Sequence, residues 1–174
     1  MVTRRTQGDG AVSEGAGDVA DGGKLSYRVA ALTGGGEMII ALENLLTAAL
    51  REANPDQKKI SVEPYPDKID TFTLRTEAAI LVHYAGTEFE AAEESDIVQQ
   101  IMLSLFQCVI VSRDLRSHAG AYDLMDKNRD AVVGLEFAGG IAFFCVSEEL
   151  IGRENGVWWY SQTFGVKHVY NSLK

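Results

Sequence analysis

The sequence predicts an α+β fold, with a mainly antiparallel sheet flanked by two helices, and three observations lead there. Gln99–Val111 is rich in β-branched, aromatic and aliphatic residues and holds no Gly or Pro, which suits a long strand. After a polar break at 112–117 the period changes: Tyr122, Met125, Arg129 and Val132 recur at helical spacing, with Ser117 placed as N-cap and Gly134 as stop. The chain then closes with two strand-like runs joined by a short turn. The order helix, strands, helix, hairpin lacks the strand–helix alternation of a parallel sheet.

Taken in order, residues 1–36 differ from the rest. They hold nine of the 17 glycines and one aromatic, Tyr27. Their charges cancel, Arg4, Arg5, Lys24 and Arg28 against Asp9, Glu14, Asp18 and Asp21. Such a segment buries too little apolar surface to offset its ordering entropy. It is expected to be a flexible Gly-rich arm, with Leu25–Leu32 as a short strand and a start at Met38 as the alternative. Residues 37–174 form the expected α+β domain. Glu37–Ala53 reads as a helix, because Met38, Leu42, Leu45, Leu46, Ala49 and Leu50 make one stripe and Pro55 follows. Lys59–Tyr65 reads as an edge strand ending at Pro64 and Pro66, and Glu77–Ala85 as a strand apolar on both faces. Gly86 is expected to open an acidic loop carrying Glu88, Glu90, Glu93, Glu94 and Asp96. The Gln99–Val111 strand is also apolar on both faces, which places it in a sheet covered on both sides or partly under a neighbouring subunit. Ile141–Ile151 and Gly156–Tyr170 form the hairpin, joined by Gly152–Asn155.

Composition narrows the function. Apolar residues are 46% and charged residues 24% of the 174, the balance of a globular protein. A net charge of −9 argues against a free, sequence-specific nucleic-acid binder, since phosphate contacts need clustered Lys and Arg. No apolar run approaches the ~20 residues needed to span a bilayer, and none follows Arg4 and Arg5 as in a signal peptide. Synthesis and assembly in a cytoplasm are expected. Cys108 and Cys145 sit in apolar runs without a CxxC spacing and read as small buried hydrophobes.

The chemical motifs are incomplete. Thr33-Gly34-Gly35-Gly36 loosely imitates a phosphate-binding turn, but Ile39 stands where a third glycine belongs. Asp126, Asn128 and Asp130 imitate the start of a calcium loop, yet Ala131 and Phe137 replace its Gly and closing Glu. His83, His118 and His168 lack metal-ligand spacing, and His83 and His168 are expected in the sheet with one satisfied hydrogen bond each. No catalytic, cofactor or metal site is expected. A surface for partners remains. In a strand, adjacent aromatics point to opposite faces, so one of Trp158 and Trp159 should leave the core.

The pieces MIIALENLLTAAL, VEPYP, AAILVHYAG, QCVIVSRDLRSHAGAYDLMDKNRDAVVG and NGVWWYSQTFGV resemble the tail-terminator (tail-completion) proteins of Mu-like contractile-tailed phages and prophages. The resemblance covers roughly residues 38–168, and the Gly-rich arm departs from it. It implies a virion structural protein, not an enzyme. Such a subunit forms a hexameric ring that caps the head-proximal end of the tail tube, stops tube and sheath polymerisation, and docks the head–tail connector in the neck. The expected partners are further copies of the chain, tail tube and sheath proteins, and the connector. The candidate interface residues are Glu88, Phe89, Glu90, Glu93, Glu94, Asp96, Arg113, Arg116, Trp158 and Trp159. A connector or stopper protein of the same neck is the alternative reading, and an enzyme of unrecognised type the distant one.

Overall fold

In the computed structural model, the described residues are 35–91, 97–117 and 120–173. They form helix α1 (Gly35–Ala53), strand β1 (Ile60–Pro64), a 3-10 turn (Ile69–Thr71), β2 (Ala78–Phe89), β3 (Ile97–Ser112), helix α2 (Ala121–Val132), and strands β4 (Glu136–Phe137), β5 (Ile141–Glu154) and β6 (Val157–Leu173). One sheet runs in the order β1-β2-β3-β6-β5-β4, antiparallel throughout except for the β1–β2 pair. The fold is α+β, as the element order predicts.

The helices share one face of the sheet. Leu42, Leu46 and Leu50 of α1 and Ala121, Leu124 and Val132 of α2 enclose Ile80, Phe106, Ile110, Phe143 and Phe164 in the main core. The second face carries a smaller cluster at one end, where Tyr65, Ile69, Phe72 and Leu74 lie over Ala79, Leu81, Val109, Val111 and Trp159. Gln99–Val111 is therefore apolar on both faces for two different reasons. Its even positions meet the helices, and the odd ones meet this cap or emerge beyond it.

Five local expectations are corrected. The acidic loop does not begin at Gly86. The strand shifts register at Ala85 and continues through Glu88 and Phe89, which pair with Leu103 and Met102. A bulge inserts one residue without ending pairing. Gly86 (φ +136°) takes the conformation this needs, and hydroxyl–hydroxyl hydrogen bonds between Tyr84 and Thr87 (2.6 Å) and between Thr87 and Ser104 (2.9 Å) span it. Second, Gly120, not Ser117, occupies the N-cap of α2. The Ser117 hydroxyl is instead turned onto Asp114 and, with the Arg116 N–H (3.3 Å), holds the Asp114 carboxyl below its usual pKa. Third, the buried stripe of α2 is Ala121, Leu124, Met125, Asn128 and Val132, while Tyr122 is exposed and Arg129 flanks the stripe. Fourth, the final turn is Asn155–Gly156 rather than the four residues 152–155. Both residues have positive φ (50° and 79°), the combination a two-residue turn needs to match strand twist. Fifth, His168 lies buried in the sheet with neither ring nitrogen hydrogen-bonded, where one bond was expected, while the His83 ring packs edge-on to Tyr65 (4.6 Å).

Polar groups inside the main core tie its layers together. Asn54, just past α1, donates to Asn128 of α2 (3.2 Å). Gln162 of β6 donates to the Met125 carbonyl (2.9 Å) and to Glu148 (2.7 Å), which Arg129 also binds (2.7 Å). Arg129 further pairs with Asp126 (2.9 Å), and these two carboxylates, Glu148 foremost, hold its pKa above the usual value. The residues of the imitation calcium loop thus diverge, Asn128 inward and Asp126 and Asp130 outward.

Burial lowers the imidazole pKa of both His168 and His83 below 6.5. An unfolded chain takes up protons below pH 6.5 that the folded chain refuses. Stability is therefore full above about 6.5 and falls as pH drops from there. Urea midpoints at pH 7.5 and 5.5 should show this loss, and His168→Gln should reduce it. An equal loss in that variant would remove His168 from the account.

Candidate interaction surface

Beyond the cap formed by Tyr65–Leu74, none of the described residues covers the second face of the sheet. Residues paired across antiparallel strands share a face, so Glu88, Leu103 and Lys167 form one row there and Leu105, Gly165 and Phe144 the next. A side chain at Gly165 would have to push its neighbours aside. A Cβ would come within 2.9–3.0 Å of Val146, Leu103 and Phe144, whose side chains close over it. The result is an apolar patch in which Phe144 is 40%, Val146 45% and Val169 54% exposed. Acidic groups border it, with Glu90 paired to Lys167 (2.9 Å) and Glu88 nearby on the row of Leu103. Leu150 (55%) and Ile151 (57%) are exposed farther along β5, Leu150 on the helix-bearing face opposite Tyr160 and Ile151 at the groove described next. Clusters of this kind mark interaction sites more often than isolated surface residues do.

At the other end of the same face, the Ile69–Leu74 segment and the β5–β6 hairpin enclose an open groove of about 1080 Å³. Arg113 donates to the Leu74 carbonyl (2.9 Å), fixing one wall, and Trp159 meets Phe72 edge-on (6.0 Å) on its floor. The residues along it include Asp70, Arg113, Arg153 and Glu154 but no His, Cys or Ser. Among the described residues no three His, Cys, Asp or Glu side chains converge as metal ligands. The thiols are poor nucleophile candidates as well. Cys108 is fully buried and Cys145 half-buried, and burial pushes both pKa values up.

The residues expected at an interface are dispersed. Glu88 and Glu90 border the apolar patch, and Arg113 and Trp159 belong to the groove. Phe89 is exposed on the helix-bearing face, and Arg116 is exposed in the turn before α2. Trp158 packs against the main core under the Arg153 guanidinium (4.8 Å). The two tryptophans do point to opposite faces, but each has a packing partner and is only half-exposed. Glu93, Glu94 and Asp96 lie outside the described residues, as does the arm through residue 34. Sequence reasoning did not mark Val146, Leu150, Ile151, Lys167 or Val169. The adjacent apolar pair Leu150-Ile151 was the available signal, because register shifts at Val146 and Ile151 break the alternation.

Residues 46–170 match the family model described as Gp37 protein, and the chain belongs to this phage-associated family. No match was found among curated proteins. Among solved structures, a chain from the "Virion of native gene transfer agent (GTA) particle" aligns with a TM-score of 0.45 and 11% identity, over 74% of this chain and 96% of that one. No helix among the described residues is long and apolar enough to cross a membrane.

Proposed function

We propose that this protein is a virion structural protein that works as a tail terminator. In this reading it forms a ring, of six copies by the sequence resemblance, that caps the head-proximal end of a contractile tail and presents a docking surface to the head connector. The observation that carries the reading is the acid-bordered apolar patch on the open sheet face. A ring subunit needs such surfaces for its neighbours and for the last ring of the tube, and it needs no chemistry. Membership of the Gp37 family and the motif resemblance point the same way. A closed ring uses heterologous contacts, so the subunit must offer two different surfaces. The open face and the free end of the sheet at β5 provide them.

Light scattering after size exclusion, with and without the tail-tube subunit, tests this. A ring of about six subunits, alone or on tube, is expected. A monomer that neither assembles nor limits tube length would overturn the reading. Charge reversal at Glu88, Glu90, Glu93 and Glu94 should impair docking while leaving the fold intact, as seen by circular dichroism. Normal tail attachment in that variant would remove the acidic segment from the docking face.

A further inference from the structure

The two edges of the sheet are unlike. β1 is five residues long and ends in Pro64, with Pro66 close behind, so it offers little to a further strand. β5 is 14 residues long. On its outer side β4 pairs with Ile141 and Ala142, and Gly134 and Leu135 take the backbone groups of Phe143. From Phe144 to Glu154 no strand among the described residues pairs on that side. Register shifts at Val146 and Ile151 bend this edge, a common way to blunt one. Here, however, the bends leave Val146, Leu150 and Ile151 exposed rather than a Lys or Pro.

We propose that the outer edge of β5 is the docking site for Leu25–Leu32 of a second copy of this chain, which adds there as a further strand. The segment LSYRVAAL alternates Leu25, Tyr27, Val29 and Ala31 with Ser26, Arg28, Ala30 and Leu32, a pattern that suits an added strand. Eight residues at ~3.3 Å each extend about 26 Å, within the length of the unpaired stretch. Charges match as well. Residues 24–32 carry Lys24 and Arg28 and no acid, whereas 147–154 carry Glu148, Glu149 and Glu154 against Arg153. Glu148 is engaged by Arg129 and Gln162, which leaves Glu149 and Glu154 as the exposed carboxylates along the strand.

Reach selects a second copy over the chain's own segment. Helix α1 packs on α2 and, within the sheet, on β2 and β1. The outer side of β5 lies four strand spacings from β2, about 19 Å. Leu32 precedes Gly35 by three residues, which span at most about 10 Å. A copy whose segment occupies its neighbour's edge leaves its own edge open to the next copy, so the contact propagates from subunit to subunit.

The proposal is independent of the terminator reading, and its test contains no tail protein. Full-length chains are followed by light scattering across concentrations. The wild type should associate, and Arg28→Glu or Glu149→Lys alone should weaken association about tenfold through like-charge contact. The two single variants mixed together should associate, because the Arg28→Glu segment then meets the Glu149→Lys edge. The double variant should also recover. Glu149 is exposed, so circular dichroism and melting of Glu149→Lys should stay at wild-type values, and Arg28→Glu is checked in the same way. A wild type that is monomeric at every concentration, single variants that associate like wild type, or a mixture that fails to recover would each overturn the proposal. Recovery in the double variant without any change in mass would indicate pairing within one chain and overturn it equally.

Discussion

Phe106→Ala should lower the unfolding free energy by about 3–5 kcal/mol, the range for truncating a fully buried aromatic. Phe106 is wholly inaccessible on β3, with Tyr84 and Phe164 as its cross-strand neighbours. Its ring centroid lies 5.7 Å from Tyr84 and 5.8 Å from Phe143, at tilted angles that favour aromatic pairs. The site cannot collapse easily. Ladders on both sides fix the strand, and the helices above it are tied to one another by Asn54 and Asn128. A cavity should therefore persist and add its own cost to the lost transfer free energy. Urea unfolding checks this, with a lower midpoint at an unchanged slope. A loss below about 1 kcal/mol would mean that the core repacks.

Gly120→Ala should be the other severe change, costing about 3 kcal/mol, the upper part of the usual range for overpacking. The backbone angle is not the obstacle, because Gly120 has φ −75° and ψ 159°, which any residue adopts. The obstacle is space. A Cβ would stand 2.7 Å from the Arg116 nitrogen and the Leu115 carbonyl carbon, and 2.8 Å from the Ser117 nitrogen. These are backbone atoms of a turn held by Asp114, whose carbonyl also accepts the Ala121 N–H (3.1 Å). Relief would have to move the turn or the start of α2. Ala is otherwise the better helix former, so a stabilised variant in thermal melting would refute the steric argument.

Much of the fold was legible because apolar periodicity reports burial directly. The α1 stripe, both faces of β3 and the even face of β6 all follow it. The failures share a physical cause, namely long-range contacts overriding local signals. Gly86 reads as a loop opener, but β3 is long enough to keep pairing beyond the bulge. Arg153 and Glu154 read as turn residues, yet pairing with Trp158 and Val157 keeps them in the strand. Ser117 is a good cap by type, but Asp114 claims its hydroxyl. The candidate surface was less legible. Exposure of Val146 or Leu150 depends on which strands lie beside β5 and what covers the face, and neither is written in those residues. The acidic stretch stood out by composition alone, while the apolar patch beside it did not.

The longest ladder of the sheet also governs how the chain can reach its fold. β3 and β6 pair over 16 positions, joining residues 46 apart (Ser112 to Trp158) at the near end and 76 apart (Ile97 to Leu173) at the far end. Contacts so distant in sequence must close long loops before they return any stability, which places folding toward the slow end for a chain of this size. During synthesis at about 5–20 residues per second, β3 is complete some seconds before β6 follows it. For that interval the middle strand of the finished sheet is an edge, paired on the β2 side alone. The nascent protein should therefore depend on chaperones most strongly between the emergence of α2 and that of its final hairpin.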